Sequence, residues 1–283
     1  MGYRRFEAEV RAWLGDACRR GHPLAEAWVQ EHLSRVQFAR DFHLRLMEEF
    51  RSIPGAYVLD LGCGTAGAGV ALALAGARVT GLDASARMLR LAGIRAAEDG
   101  AAIALVLGDA RRLPFADATF DVCICDQVIE HMEGYSSLLA EAHRVLTPRG
   151  LLLLSAPHRL ALHEGHTNLA FASWLPHRLA GRYAAWRGRR ARTEPWDVWL
   201  ELPWTIRRRL QHAGFEEIRS PWRQPKRSPT EGSAAQRALA RIGPLVRLVR
   251  WGFRWWGFLF GTVTFLLTKP DTQAGSGAVG GHT

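Results

Sequence analysis

The sequence VLDLGCGTAGAG at residues 58–69 decides the fold, because it joins a short apolar strand to a helix through a glycine-rich turn. Asp60, Gly62, Gly64 and Gly67 occupy that turn. Glycine lets a backbone approach a ligand closely, and the free N–H groups at the start of a helix favour a carboxylate or a phosphate. The stretch therefore predicts a ligand site where the first strand meets its helix.

Strand and helix patterns alternate around this turn. The strand patterns cover 57–61, 78–82, 103–107, 121–125 and 151–155, and the helix patterns between them cover 67–75, 85–99 and 136–145. Helical periodicity also fills the stretch from 3 to 51. Strands separated by helices at this spacing favour a parallel sheet with helices on both faces. We expect an α/β fold with a doubly wound, mostly parallel sheet.

Composition fits one such domain with insertions, because 48% of the 283 residues are apolar. The cysteines at 18, 63, 123 and 125 have no CxxC spacing. Metal binding by Cys123 and Cys125 is the alternative to a role as small buried fillers of a strand, which we favour. We predict no metal, reduced thiols and a cytoplasmic protein, since the charged N-terminus resembles neither a signal peptide nor a spanning helix.

The net positive charge of the chain comes from its second half. Residues 1–177 carry a net charge of −2, whereas residues 178–254 carry +12. An anionic partner should therefore meet the second half.

The glycine-rich turn alone is compatible with two cofactors. Gly62-x-Gly64-x-x-Gly67, with Asp83 about 20 residues beyond it, also satisfies the dinucleotide-binding fingerprint. Asp60 argues against that cofactor, because its carboxylate would repel a pyrophosphate but could accept hydrogen bonds from an ammonium group. S-adenosylmethionine carries an ammonium group and no phosphate.

Four motifs in order resemble the class I S-adenosylmethionine-dependent methyltransferases of the small-molecule type. These are VLDLGCGTAGAG, VTGLDAS, LGDARRLPFADATFDVCICDQVIEHM and EAHRVLTPRGLLLLSAP, and they span residues 56–157. The resemblance implies a seven-stranded Rossmann-like sheet with an insertion after the fifth strand. It also implies that S-adenosylmethionine is the cofactor.

The resemblance assigns each end of the cofactor to particular residues. Asp60 and the backbone of Gly62, Cys63 and Gly64 would meet the methionine end, and Asp83 would accept the ribose hydroxyls. Asp109 and Ala110 would face the adenine, and Asp126 would lie near the methyl group. Ala84 and Met88 complete the implied set of cofactor-binding residues: Asp60, Gly62, Cys63, Gly64, Asp83, Ala84, Met88, Asp109, Ala110 and Asp126. Strand C-termini are where ligands bind in open α/β sheets.

Three histidines are candidate general bases. Methyl transfer needs alignment above all, but a hydroxyl acceptor is helped by a base, and histidine is the usual one. His131 follows the fourth strand, and His163 and His166 lie in the insertion. Structural roles are the alternative for all three, and an i, i+3 metal site on a helix is a further alternative for His163 and His166.

The alternation stops after Pro157. The stretch 163–183, HEGHTNLAFASWLPHRLAGRY, resembles the insertion of bacterial methyltransferases encoded among cell-surface glycan genes, which implies a sugar hydroxyl or carboxyl as acceptor, including one on a lipid carrier. Later patterns predict a helix at 204–212, a strand at 215–219, a basic helix at 234–254 and a last strand at 258–268. We divide the chain into 1–52 (N-terminal helices), 53–157 (cofactor core), 158–203 (acceptor lid), 204–270 (end of the fold) and 271–283 (disordered tail).

The basic helix pattern at 234–254 suggests an anionic membrane as a second partner. Arginines flank an apolar face that is followed by Trp255 and Trp256, as in helices that lie at a bilayer surface. The uncharged run from 255 to 268 is 14 residues, too short to span a bilayer. We therefore expect a cytoplasmic protein that can bind the inner face of the membrane, with a dimer or subdomain face as the alternative.

Three other functions are alternatives to that of a small-molecule methyltransferase. An RNA methyltransferase would use the positive charge, but the chain contains no appended RNA-binding motif. A non-catalytic methyltransferase fold acting as a binding module at a membrane would have lost cofactor residues, and here they are present. A nicotinamide-dependent oxidoreductase is disfavoured by Asp60. The acceptor, the methylated atom and the oligomeric state do not follow from the sequence.

Overall fold

A computed structural model of the chain describes residues 4–19, 25–165, 167, 169–188, 197–219 and 262–271. The predicted basic helix at 234–254 and residues 272–283 of the predicted tail lie outside these residues, as does His166. Within the described part, no helix is both long and apolar enough to cross a membrane.

A seven-stranded sheet forms the centre of the fold, with the order β3-β2-β1-β4-β5-β9-β8. Its strands are β1 (Tyr57–Leu61), β2 (Arg78–Asp83), β3 (Ile103–Leu107), β4 (Phe120–Asp126), β5 (Leu146–Pro157), β8 (Glu216–Arg219) and β9 (Thr262–Thr268). The first five pair in parallel, and β9 runs antiparallel to both β5 and β8. The predicted doubly wound, mostly parallel seven-stranded sheet is confirmed.

Helices cover both faces of this sheet. They are α1 (Arg4–Arg19), α2 (Ala25–Phe38), a π-helix (Ala39–Leu44), α3 (Arg45–Glu48), α4 (Gly67–Leu74), α5 (Ala86–Asp99), α6 (Ser136–Val145), α7 (His177–Trp186) and α8 (Pro203–His212). Short 3-10 turns lie at Ile129–His131 and Ala172–Trp174. Ser85 caps α5, since its hydroxyl accepts the N–H of Met88 at 3.3 Å.

Alternate side chains of the central strands point into two separate cores. Cys123, Cys125 and Leu152 belong to the core that α6 and α8 cover, whereas Val122 and Ile124 belong to the core beneath α4 and the N-terminal helices. Cys123 and Cys125 are fully buried, and burial raises the pKa of both thiols. Their predicted role as fillers of a core strand is therefore confirmed.

The N-terminal helices pack beside the carboxyl end of the sheet. Arg95 of α5 is fully buried, and its guanidinium donates to the backbone carbonyl of His32 and lies 4.0 Å from the centre of the Phe6 ring. Both contacts join α5 to the helices that precede the core. A buried cation–π contact such as that between Arg95 and Phe6 contributes about 2 kcal/mol.

The insertion after β5 has more regular structure than the sequence predicted. It contains a two-stranded hairpin, β6 (His163–Glu164) and β7 (Leu169–Ala170), followed by α7. The buried Glu164 carboxylate accepts the backbone N–H of Thr167 at 2.8 Å and its hydroxyl at 2.7 Å, which stabilises the hairpin turn. His163 is the first residue of strand β6. The helix on which His163 and His166 could have formed a metal site is therefore wrong for His163.

Candidate cofactor and acceptor site

The turn after β1 takes a backbone conformation that requires glycine. Gly62 has φ +62° and Gly64 has φ +52°, both in the left-handed region. A Cβ on Gly62 would lie 2.7 Å from Val128, whereas a Cβ on Gly64 would meet nothing within 4 Å. Gly62 is thus required by packing, and Gly64 leaves open space beside the turn.

Asp83, the last residue of β2, holds this turn in position. One carboxylate oxygen accepts the N–H of Gly64 at 2.8 Å, and the other accepts the N–H of Ser85 at 2.8 Å. A carboxylate has about four lone-pair sites, so two more donors can bind to the same group. Asp83 therefore orders the glycine turn and keeps acceptor capacity for a ligand.

Asp60 is buried beneath the turn, with 3% of its surface exposed. Its carboxyl accepts the N–H of Gly69 in the first turn of α4 at 3.0 Å, where the helix dipole favours a negative charge. Burial, together with the nearby carboxylates of Asp126 and Asp83, nevertheless raises the pKa of Asp60 to about 7. A cation bound beside Asp60 would favour its ionised form.

Two further acids follow strands of the same sheet edge. Asp109 lies after β3, where its carboxylate pairs with Arg111 at 2.8 Å, and hydrogen bonds from Arg111 lower the pKa of Asp109. Asp126 ends β4, and its Oδ1 lies 3.8 Å from Nε2 of His43. Because β1 and β4 are neighbours at the point where the strand order reverses, these acids surround the crevice in which ligands of such folds bind.

Two adjacent cavities, which share lining residues, bring the predicted residues together. The first, which we call the cleft, has a volume of about 1250 Å³ and is lined by Gly62, Gly64, Asp83, Ala84, Met88, Asp109, Ala110 and Asp126. The second, which we call the inner pocket, has a volume of about 300 Å³ and is lined by Asp60, Gly62, Cys63 and Asp126 among others. Every predicted cofactor residue thus lines at least one cavity, and Gly62 and Asp126 line both.

Two of the three candidate bases also line the cleft. Nδ1 of His131 lies 3.8 Å from Oδ2 of Asp197, and both residues border the cleft. His163 borders it from the hairpin of the insertion. His131 after the fourth strand and His163 in the insertion therefore both lie beside the site, whereas His166 lies outside the described part of the chain.

Several lining residues were not predicted from the sequence. His43 and Arg35 reach the inner pocket from the N-terminal helices, which were predicted as helices without a role at the site. Gln127 lines both cavities with φ +59°, a conformation that is strained for a residue other than glycine and is common at functional sites. Gln127 lies within the motif at 107–132, whereas no sequence motif marks His43 and Arg35. The only signal was the amphipathic pattern of the first 51 residues.

Comparison with known proteins identifies the core. A family model described as "Methyltransferase domain" matches residues 59–154. A malonyl-[acyl-carrier protein] O-methyltransferase from Serratia marcescens is 37% identical over 116 residues, which are 41% of this chain and 44% of that protein. A ubiquinone biosynthesis O-methyltransferase from Maricaulis maris is 33% identical over 156 residues, which are 50% of this chain and 58% of the other.

Solved structures share the fold. An S-adenosylmethionine-dependent methyltransferase from Mesorhizobium loti superposes with a TM-score of 0.54 at 21% identity, over 81% of this chain and 97% of that one. The chain spans between 37% and 64% of the length of the first curated relatives that it matches. Residues 59–154 thus match the methyltransferase domain family, and the chain shares its fold with an S-adenosylmethionine-dependent methyltransferase.

Proposed function

We propose that this protein transfers a methyl group from S-adenosylmethionine to an oxygen atom of a small-molecule acceptor, a class that includes a glycan or a lipid-linked sugar. The observation that carries the proposal is that the cleft and the inner pocket share the lining residues Gly62 and Asp126. The cleft has room for the nucleoside, and the inner pocket beside it would receive the methionine end at Asp60 and the acceptor near Asp126. Two relatives named as O-methyltransferases support oxygen as the methylated atom.

The residues of the turn fit S-adenosylmethionine in two respects. The space beside Gly64 gives the methionine part room to lie against the backbone. The buried Asp60 carboxyl forms no salt bridge with the described residues, although the charge of Arg35 lowers its pKa, and a ligand ammonium would supply a direct cationic partner. When bound, the cofactor supplies a methyl group activated by its sulfonium.

Each end of the cofactor has a proposed set of contacts. Asp60 and the turn from Gly62 to Gly64 would hold the methionine end, and Asp83 would accept the ribose hydroxyls. Asp109, with Ala110 and Met88 beside it, would contact the adenine while Arg111 keeps its pairing. Asp126 would lie near the methyl end. The fixed positions of these groups favour in-line alignment, which can contribute up to about 7–11 kcal/mol.

Formation of S-adenosylhomocysteine tests the proposed activity. The protein is incubated with S-adenosylmethionine and either a pool of hydroxyl and carboxyl compounds, lipid-linked sugars included, or total RNA. Turnover with the small-molecule pool supports the proposal. Turnover with RNA alone would favour the RNA methyltransferase, and cofactor binding without turnover in either pool would favour the non-catalytic binding module.

The affinity for S-adenosylmethionine should depend on pH through Asp60. The pKa of Asp60 is about 7 without a ligand, so the cofactor ammonium must displace a proton below that pH. By linkage, affinity should fall as pH decreases below 7, by up to about tenfold per pH unit. Calorimetry at several pH values measures this slope. Asp60→Asn retains a carbonyl for the Gly69 N–H and should bind weakly with a flat profile; a flat profile in the wild type would contradict the ammonium contact.

An anionic membrane surface is proposed as a second partner on sequence grounds alone. The arginines at 247, 250 and 254 follow the helical pattern described above, and electrostatic attraction adds about 1 kcal/mol per basic residue near such a surface. We expect the chain to sediment with vesicles that contain anionic lipid and to lose that binding when all three are changed to Gln. Equal sedimentation of the wild type and the triple variant would refute this surface.

A further inference from the structure

A histidine that no motif indicated reaches the inner pocket. His43 lies in the π-helix Ala39–Leu44, and only 1% of its surface is exposed. Single turns of π-helix are frequent at functional sites. Neither ring nitrogen of His43 has a hydrogen-bond partner within the described part of the chain. Because buried polar groups almost always have a partner, two unpaired nitrogens in a side chain that lines a pocket point to a bound ligand as that partner.

Burial and the charges around His43 determine its protonation state. The charged residues that line the inner pocket with it are Glu31 and Arg35 of α2, Asp60 of β1 and Asp126 of β4, while the part of α4 that lines it is uncharged. Burial lowers the pKa of His43, Arg35 lowers it further, and Asp126 opposes both. His43 is therefore neutral at neutral pH, and the imidazolium that proton transfer would form lies 3.8 Å from a carboxylate.

Aromatic rings restrict the orientation of the imidazole. The ring centres of Phe38 and Phe42 lie 5.3 Å and 5.6 Å from that of His43, and the Phe38 ring is edge-on to it. Phe38 also lines the inner pocket. The histidine is thus packed in place, and the pocket combines an apolar side with carboxylates.

We infer that the acceptor is a neutral hydroxyl compound and that Nε2 of His43 takes its proton during methyl transfer. This inference rests on the proposed function and adds the class of acceptor to it. A carboxylate acceptor is already ionised at neutral pH and needs no base. It would also be repelled by Asp126, which lines the pocket. A hydroxyl avoids that repulsion and needs the base that His43 provides.

These groups account for every bond and proton in the transfer. The O–H bond of the acceptor breaks and its proton moves to His43, while the new oxygen–carbon bond forms as the carbon–sulfur bond of the cofactor breaks and sulfur keeps the electron pair. Asp126 stabilises the imidazolium, which then releases its proton to solvent. Asp126 is a positioning residue in this scheme, and His43 is the catalytic residue. General base catalysis of this kind contributes about 10²- to 10⁴-fold in rate.

The first test needs no acceptor. The histidine side chains of the full chain are isotopically labelled, the His43 signal is identified by its loss in His43→Gln, and its titration is followed by NMR in the wild type and in Asp126→Asn. We expect a pKa below the ordinary histidine range in the wild type and a still lower one in Asp126→Asn, because the neighbouring negative charge is gone. A pKa in the ordinary range, or one that Asp126→Asn leaves unchanged, would overturn the inference.

The second test uses ring-substituted phenols of graded acidity as probe acceptors, with benzoate as a carboxylate probe. His43→Gln should bind S-adenosylhomocysteine as the wild type does but lose at least about a hundredfold in kcat with the least acidic phenols. The loss should shrink for phenols that are already ionised. His212→Gln, at an exposed position at the end of α8, is the matched control and should keep the wild-type rates.

Two outcomes of the second test would overturn the inference. One is an equal loss in His43→Gln for all phenols, which indicates a structural role. The other is transfer to benzoate but to no phenol. If the wild type methylates neither phenols nor benzoate, the NMR titration of His43 alone tests the inference. Failure of the wild type to bind S-adenosylhomocysteine would instead contradict the proposed function, and the titration would still report on His43.

Discussion

Asp83→Ala should weaken the binding of S-adenosylmethionine by about a hundredfold or more. The change removes the acceptor for the N–H groups of Gly64 and Ser85 and the proposed acceptor of the ribose hydroxyls. A hydrogen bond to a charged group contributes about 1.5–3 kcal/mol, and about 2.8 kcal/mol corresponds to a hundredfold in affinity. Calorimetric titration of the variant measures the loss.

A matched control separates this effect from a general loss of an acid. Asp117 is 78% exposed in its side chain and pairs with Arg144 outside both cavities. Asp117→Ala should therefore bind the cofactor as the wild type does. If Asp83→Ala binds as tightly as Asp117→Ala, the proposed position of the ribose is refuted.

Gly62→Ala should lower the free energy of unfolding by about 3 kcal/mol. The left-handed conformation costs a residue with a Cβ about 1–2 kcal/mol, and the contact at 2.7 Å with Val128 adds an overpacking cost of about 1–3 kcal/mol. Val128 cannot easily rotate away, since its β-branched side chain is stiff. Urea denaturation measures the change through the midpoint.

Gly100→Ala is the control for the backbone conformation alone. Gly100 follows α5 with φ +69°, and a Cβ there would meet nothing within 4 Å. We expect a loss of only about 1–2 kcal/mol in this variant. An equal loss in both variants would show that the close approach of the turn to Val128 adds no cost.

Much of the fold was predictable because its signals are local. Apolar runs of strand length, ended by Gly or Asp, defined β1 and β3 to the residue, and α6 was also predicted with its observed bounds. The start of β5 was predicted at 151, whereas the strand begins at Leu146. The sequence Thr-Pro-Arg-Gly at 147–150 has the composition of a turn. The strand nevertheless begins ahead of this sequence, because Leu146 already pairs with Phe120 of β4. The pairing of strands that are distant in sequence decides where such a strand begins, and a local sequence pattern carries no information about that pairing.

The cofactor side of the site was predictable for a similar reason. The acids and glycines lie at the ends of consecutive strands, and the parallel sheet brings those ends to one edge. The acceptor side was not predictable in this way. His43 lies in an N-terminal helix whose position depends on packing against the rest of the fold, and a π-helix has no simple sequence pattern. Helix α7 was also missed, because Gly181 and Tyr183 weaken its helical pattern.

Parallel calorimetric titrations of the full chain with S-adenosylmethionine, S-adenosylhomocysteine and NAD test the central claim most directly. We expect micromolar binding of the first two compounds, about −8 kcal/mol in free energy, and no heat from NAD. Asp60 and Asp83 carry this prediction, because together they favour an ammonium group and a ribose over a pyrophosphate. Binding of NAD, without binding of S-adenosylmethionine or S-adenosylhomocysteine, would contradict it.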